Sequence, residues 1–335
     1  MPRILLRSES PAALFHTPEL IQAMKEAGFD VSVACADGIF SDTAIQTMSG
    51  NAPANDEKGF DAVISPYANH KGALPCINTQ LKSEFHCGAA GTFLLPSPEA
   101  LTEAAISFFK KQDFANKTIL LTAGPTIEDA DPARFVSNRS TGRMGTAIAR
   151  TAARRGANVL LVHGPMLAPI PQHEKIHSVP VRSASQMLTA VDECLPQTDI
   201  AILCAAVADF SPMAYSEEKI KKGKSEIFTL QMRKNPDILA HIGAMPNKPF
   251  LVGFAAESNN VEANAQDKLL RKNCDILCAN DITAPNCGFA TSTNSLTVFR
   301  RNAPTILIPL ASKDAVADSL LDIISKANAD CTGHG

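Results

Sequence analysis

The chain has 335 residues, 45% of them hydrophobic and 19% charged, an ordinary globular composition long enough for two domains. A formal net charge of -3 excludes bulk attraction to nucleic acid or an anionic membrane, so any anion binding must be local. The absence of Trp, with only 2 Tyr, argues against an aromatic base-stacking surface, and no run approaches the ~18 apolar residues of a membrane span.

The expected elements form two successive α/β patterns. In the first, Ile4–Leu6 is a strand. Thr17-Pro18-Glu19 starts a helix, with Thr17 as N-cap, that runs to about Ala27 and stops at Gly28. Val31–Cys35 and Asp61–Ile64 are strands, and Ser97-Pro98-Glu99 starts a helix reaching about Lys111. The polar stretch 112–116 reads as a linker, which gives domains at 1–111 and 117–328 and a flexible tail at 329–335.

The second pattern is longer. Strands are expected at Thr118–Thr122, Val159–Val162, Ile200–Ala205, Phe250–Phe254 and Asp275–Ala279. Helices are expected at about Gly142 to Arg155, at Ser185–Cys194, after the Asn235-Pro236-Asp237 cap, and at Val261–Lys272. A closing hairpin, Ser295–Phe299 with Thr305–Ile308, precedes a last helix, Lys313–Lys326. Strands alternating with helices predict the α/β class: two tandem three-layer domains, the second Rossmann-like with a mostly parallel sheet.

The 9 Cys are odd in number and irregularly spaced, without a Cys-x-x-Cys pair. They read as buried thiols in a cytoplasmic protein, and no His/Cys set has metal-ligand spacing, so no metal ligand is assigned. The N-terminus, Met1 to Arg7, is too short in its apolar part for a signal peptide.

In a doubly wound sheet, ligands sit beyond the carboxyl ends of the strands. Four stretches stand there or nearby. Ser137-Asn138-Arg139-Ser140-Thr141-Gly142-Arg143-Met144-Gly145 leads into a helix, and its hydroxyls and glycines suit a phosphate. The same residues also suit a capped helix packed closely on a strand. Lys219-Ile220-Lys221-Lys222-Gly223-Lys224 is either a solvated loop or a mobile basic segment for a polyphosphate. Lys234-Asn235-Pro236-Asp237-Ile238 alone reads as a helix start. Gly253-Phe254-Ala255-Ala256-Glu257 is followed by Lys268 and Lys272, which share a helix face, either solvated or functional.

Together these stretches resemble the ligase half of the bacterial bifunctional phosphopantothenoylcysteine decarboxylase/phosphopantothenate–cysteine ligase family. The resemblance runs from Lys117 to Lys326 and adds Thr122-Ala123-Gly124-Pro125-Thr126, Asp131-Pro132-Ala133-Arg134, Cys204-Ala205-Ala206-Val207-Ala208-Asp209-Phe210 and Ala279-Asn280-Asp281, in the family's order. It implies a coenzyme A biosynthetic enzyme joining 4'-phosphopantothenate to L-cysteine at the expense of CTP, with Mg²⁺, through an acyl-cytidylate. The small molecules would be its partners, together with a second copy of the chain in a homodimer or higher homo-oligomer.

By the same resemblance Asn138 and Lys219 are catalytic. Ala205, Ala206, Asp209, Lys219, Asn235, Pro236, Asp237, Ile238, Phe254, Lys268 and Lys272 bind CTP, and Gly124, Ser140, Thr141, Gly142 and Gly145 form the phosphate and substrate loop. Asn138 is expected to donate to a developing oxyanion.

Residues 1–111 resemble the family's flavin-dependent decarboxylase half only in part. Gln46–Asn51 and Val63–Asn69 match, and Cys87-Gly88 aligns with the catalytic Cys-Gly. Arg7-Ser8-Glu9-Ser10-Pro11 replaces the family's Gly-rich phosphate turn, the active-site His has no counterpart in Ala52–Phe60, and the Pro-Ala-Met-Asn motif is absent. Cys87 is therefore read as vestigial, FMN is in doubt as a cofactor, and loss of decarboxylation is expected. Two other functions compete: a Rossmann oxidoreductase, opposed by the lack of an acidic residue closing Val159–Val162, and a non-catalytic nucleotide- or flavin-binding regulatory module.

Overall fold

The computed structural model describes residues 1–8, 17–35, 42–54, 58–64, 76–77, 83–86, 92–95, 97–221, 228–257, 261–281, 287–288 and 290–332. It divides into two compact units, Met1–Gln112 with Gln172–Glu174, and Asp113–Pro171 with Lys175–Gly335. Cys87, the turn at 9–11, the stretch 65–69 and the basic residues Lys222 and Lys224 lie outside the described residues.

The first unit is α/β. Strands β1 (Arg3–Ser8), β2 (Asp30–Cys35), β3 (Ala62–Ile64) and β4 (Cys76–Ile77) form a parallel sheet in the order β2-β1-β3-β4. Its helices are α1 (Thr17–Glu26), α2 (Asp42–Ser49) and α3 (Pro98–Phe109), and β5 (Ser83–His86) pairs antiparallel with β6 (Thr92–Leu95). Ile4, Leu6, Val31, Val33 and Ile64 pack with Leu20, Ile21, Met24, Ile45 and Leu101 as one core. The Ser97 side chain accepts the Ala100 N–H and caps α3, as its sequence suggests. Helix α1 starts at Thr17 itself, one residue earlier than a Thr17 N-cap implies.

The second unit is built on one eight-stranded sheet. Its strands are β7 (Thr118–Ala123), β10 (Asn158–His163), β11 (Ile176–Pro180), β12 (Ile200–Leu203), β15 (Phe250–Glu257), β16 (Ile276–Asp281), β17 (Thr293–Arg300) and β18 (Ala303–Ser312). The order is β11-β10-β7-β12-β15-β16-β17-β18; the first six are parallel and the last two complete an antiparallel end. The inner strands are apolar along their length because both faces are covered. Helices α4 (Arg143–Arg154) and α8 (Lys313–Thr332) pack on the face carrying Ile119, Leu121, Ile202, Val252 and Val298. Helices α5 (Ala184–Cys194), α6 (Ile238–Gly243) and α7 (Val261–Arg271) cover Leu120, Val162, Ala201, Leu251 and Leu277.

The chain moves from β7 outward through β10 to β11, then returns to the other side of β7 with β12. That reversal opens a crevice at the carboxyl ends of β7 and β12.

Several elements differ from expectation. The segment after β7 is a hairpin rather than a polar loop: β8 (Ile127–Asp131) pairs with β9 (Arg134–Ser137). A second ribbon pairs β13 (Phe210–Pro212) with β14 (Met232–Lys234). Strand β11 was not anticipated, and α8 continues through Cys331 to Thr332 instead of ending at Lys326. Within the stretch read as a linker, Phe114 is buried in the second unit's core, and its N–H donates to the Arg155 carbonyl at 3.1 Å. The Arg155 guanidinium, fully buried, lies 5.1 Å from the Phe114 ring centroid and is paired with Asp113, Asp318 and Asp322. Those ionic partners at the chain's entry into the unit bind its last helix to α4.

Candidate functional site

Beyond the ends of β7, β12, β15 and β16 lies a cleft of about 480 Å³. Two backbone crossings define its floor. Ala206 N–H donates to the Gly124 carbonyl at 2.9 Å, and Thr126 N–H to the Ala206 carbonyl at 3.3 Å, so the turns after β7 and β12 run side by side. Side chains repeat the stitch: Thr122 Oγ1 accepts from Ala205 N–H at 3.1 Å and Thr126 Oγ1 from Ala208 N–H at 3.0 Å. The polar residue types in these strand-end turns thus satisfy backbone groups that the sheet no longer pairs.

Asn138, just past β9, closes this floor. Its Nδ2 donates to the carbonyls of Ala206 at 3.0 Å and Val207 at 3.1 Å. Both amide hydrogens are therefore engaged by the chain, and Oδ1 is the atom left for a ligand. This reverses the polarity expected of Asn138: in the structure as it stands it presents an acceptor, and donation to an oxyanion requires one of these bonds to break.

The next wall is the start of α4. Gly142 precedes it at φ +78°, a conformation that favours glycine, and no side chain caps the helix. A Cβ at Gly142 would fall 2.4 Å from the Met166 sulfur, and one at Gly145 would fall 2.5 Å from the Ala123 Cβ. The glycines let α4 approach β7 closely, and the uncapped N–H groups at its start face the cleft with Ser140, Gly142, Arg143, Met144 and Gly145 on the lining. Thr141 is not on the lining; its carbonyl accepts the Ala168 N–H at 3.0 Å.

Opposite stand Asp209 and the turn Asn235–Ile238. Asn235 N–H donates to the Asp209 carbonyl at 2.8 Å, and its Nδ2 donates to the Ala208 carbonyl at 2.8 Å. Asp237 caps α6 through the Ala240 N–H at 2.9 Å, and its second oxygen pairs with the Lys272 ammonium. Partial burial pushes the Asp237 carboxyl up, but the Lys272 bond, the Ala240 N–H and the Lys268 charge outweigh it and hold it below the ordinary carboxylate range.

Of the residues expected from sequence, Gly124, Asn138, Ser140, Gly142, Gly145, Ala205, Ala206, Asp209, Asn235, Pro236, Asp237, Ile238, Phe254 and Lys268 meet on this cleft. Lys272 is buried behind Asp237 and off the lining. Lys219 is exposed and also off the lining. Its segment is attached to the β8–β9 hairpin, where Ile220 N–H donates to Asp131 Oδ2 at 3.1 Å and Ser216 N–H to the Ala130 carbonyl at 3.0 Å.

Lys313 and Asn294 also line the cleft and lie outside every motif singled out in the sequence, while Arg143, Asn280 and Cys204, also on the lining, stood in those motifs without an assigned role. Lys313 had one available signal: a lysine at the first turn of a helix opposes the helix dipole and needs a reason to be there. Burial pushes the Cys204 thiol up to about 12, against the nearby Lys313 charge, which disfavours the nucleophilic thiolate. Among the described residues no group of three or more His, Cys, Asp or Glu could hold a metal ion. No helix among them is long and apolar enough to cross a membrane.

Residues 114–327 match the family model described as the DNA/pantothenate metabolism flavoprotein C-terminal domain. The chain is 42% identical over 240 residues to the coenzyme A biosynthesis bifunctional protein CoaBC of Vibrio cholerae serotype O1, covering 71% of this chain and 59% of that protein. It is 43% identical over 242 residues to the Escherichia coli K12 protein of the same name, with the same coverages. The chain thus spans less than two thirds of the length of these relatives. Among solved structures, the C-terminal domain of coenzyme A biosynthesis bifunctional protein CoaBC superposes with a TM-score of 0.56 at 37% identity, over 66% of this chain and 100% of that domain.

Proposed function

The chain belongs to the DNA/pantothenate metabolism flavoprotein C-terminal domain family, and on that premise we propose that it is a CTP-dependent phosphopantothenate–cysteine ligase. The reading is supported above all by one observation: Asn138, pinned on the Ala206 and Val207 carbonyls, shares a cleft with the uncapped start of α4.

The chemistry follows from that arrangement. A carboxylate acylates an amine only after conversion to a mixed anhydride. In the first step the carboxylate of 4'-phosphopantothenate attacks the α-phosphorus of CTP, the phosphoanhydride bond breaks, and pyrophosphate leaves. The backbone N–H groups at the start of α4, with Lys268 and the mobile charge of Lys219, offset the negative charge brought together there. Asp209 and the Asn235–Ile238 turn form the side of the cleft where the nucleoside is expected.

In the second step the cysteine amine attacks the acyl carbon of the acyl-cytidylate and CMP leaves. Asn138 Oδ1 is the acceptor in position to orient that amine. Mg²⁺ binds through few carboxylates and several waters and phosphates; of the two cleft carboxylates Asp237 is paired with Lys272, so Asp209, together with a bound triphosphate, fits its needs, and the ion when bound supplies charge neutralisation.

The first unit serves as a scaffold without decarboxylase activity, FMN being no part of the ligase chemistry. The protein acts in the cytoplasm as a homodimer or higher homo-oligomer. Exposed Phe135, Phe210, Met213 and Tyr215 around the two ribbons supply apolar surface for a second copy, and a monomeric mass by light scattering would contradict that part of the reading.

The test is pyrophosphate release by the full chain with CTP, Mg²⁺, 4'-phosphopantothenate and L-cysteine, alongside Asn138→Asp and Lys219→Gln. Activity in the wild type and loss in both variants is expected, without carbon dioxide release whether or not FMN is added. No pyrophosphate with CTP or ATP would leave a nucleotide-binding regulatory module in its place.

A further inference from the structure

The part of the cleft beside the start of α4 holds charge and polarity that the reaction above does not use. Lys313 opens α8 and is only 7% exposed, yet it lines the cleft. Its ammonium donates to the carbonyls of Gly288 at 3.1 Å and Thr291 at 2.7 Å, and no carboxylate among the described residues pairs with it. An ammonium has three hydrogens, so one remains beyond those two acceptors. Burial, with the Arg143 charge beside it, pulls Lys313 below the ordinary lysine range.

Arg143 donates to the neighbouring Ala290 carbonyl at 3.1 Å, so the first residue of α4 and the first residue of α8 bind carbonyls close together in sequence, those of Gly288, Ala290 and Thr291. Two cations thus stand together at the uncapped end of α4. Of the two only Lys313 is buried; a buried cation without an anionic partner is costly, and an anion entering the cleft would supply that partner.

Asn294 makes the same point independently. It is 3% exposed, lines the cleft, and its Oδ1 has no hydrogen-bond partner among the described residues. Among the described residues its Nδ2 reaches only the Met144 sulfur at 3.7 Å, a weak acceptor, so the amide can turn and offer N–H to an anion at little loss.

We propose that Lys313, with Asn294, forms the subsite that holds the terminal phosphates of the nucleotide and the pyrophosphate they become. This rests on the ligase reading and deepens it. The α-phosphate and nucleoside lie toward Asn138 and Asp209, and the β- and γ-phosphates extend inward past α4 to Lys313. Lys313 stabilises the leaving group as negative charge accumulates on it. A nucleoside monophosphate lacks the groups that reach this end.

Titration calorimetry of the full chain with CTP, CMP and inorganic pyrophosphate, at one fixed Mg²⁺ concentration, tests the assignment. Lys313→Met is expected to weaken CTP and pyrophosphate by about tenfold or more while CMP binding stays within about twofold. Unchanged CMP binding also certifies that the variant is folded. A residue that merely holds the Gly288 and Thr291 carbonyls would lower CTP and CMP together, or neither, and either result overturns the proposal.

If Lys313→Met does not fold, Asn294→Asp keeps the side-chain volume and places a negative charge in the same subsite. CTP should weaken and CMP should not; equal effects on both overturn the subsite. Wild-type protein that binds CTP no more tightly than CMP, and releases no pyrophosphate, removes the ligase reading and this inference with it. A wild-type preference for CTP that survives Lys313→Met or Asn294→Asp removes the subsite alone.

Discussion

Asp131, buried in the β8–β9 hairpin, accepts the backbone N–H of Ile220 across 89 positions of sequence, directly beside Lys219. The same carboxylate accepts from Ala133 N–H at 2.7 Å and Arg134 Nη1 at 3.2 Å. Burial pushes it up, but the Ala133 and Ile220 N–H groups and the Arg134 charge outweigh that and hold it below the ordinary carboxylate range. Asp131 is thus a positioning residue for the basic segment. Asp131→Ala should lower kcat for pyrophosphate release about tenfold or more, with Asp131→Asn, which keeps an acceptor, recovering part of it. The contrary result is two variants that share one melting-temperature loss and leave kcat intact.

Asn138 makes a different demand. Asn138→Ala leaves the Ala206 and Val207 carbonyls without their side-chain donor and removes the Oδ1 acceptor at once. kcat for product formation should fall by about 10² to 10³, with the Kd for CTP within about threefold of wild type. Calorimetry beside steady-state rates separates the outcomes. A parallel fall in CTP affinity would show that the amide shapes the nucleotide floor rather than the acyl-transfer step.

The legibility of the molecule follows the range of the forces involved. Thr118–Ala123 and Ile200–Leu203 were readable because a strand covered on both faces must be apolar throughout. The strand-end residues followed, since topology alone puts a ligand there. Ile127–Ser137 was not readable as a hairpin: it is acidic, and long-range partners hold it. Arg182 clamps Asp129 at 2.6 and 2.7 Å, and Glu128 accepts the Ala184 N–H at 2.9 Å to cap α5. Lys313 and Asn294 reach the cleft from the antiparallel end of the sheet, and periodicity does not reveal which distant strand end they meet. Lys272 was legible as a cation on the Lys268 face, but its partner Asp237 was not, and that pairing takes it off the cleft lining.

The Asp237–Lys272 pair carries a pH dependence whose sign is fixed. A carboxyl held below its ordinary value stabilises the fold fully above the unfolded value of about 3.9, and that contribution is lost as pH falls through the folded value. Asp237→Asn retains a good N-cap but not the charge. Urea denaturation should therefore show a stability gap between wild type and Asp237→Asn that is constant from about pH 5 to 8 and closes in more acidic solution. A gap of equal size at about pH 3 would contradict the pairing's role.

Gly145 sets how closely α4 lies on β7. A methyl group there would sit 2.5 Å from the Ala123 Cβ and 3.2 Å from its Cα, and Ala123 belongs to a fully buried strand end that cannot yield. Gly145→Ala must push the helix outward and carry the uncapped N–H groups away from the cleft. Overpacking of this kind costs about 1–3 kcal/mol, and CTP affinity should fall with it. Ala123→Gly removes the atom that would be struck, so the double variant Gly145→Ala/Ala123→Gly should regain a large part of both losses. Thermal unfolding and CTP titration of the four proteins in the cycle measure the coupling. Strictly additive losses would mean that Gly145 matters for its backbone freedom and not for the distance between helix and strand.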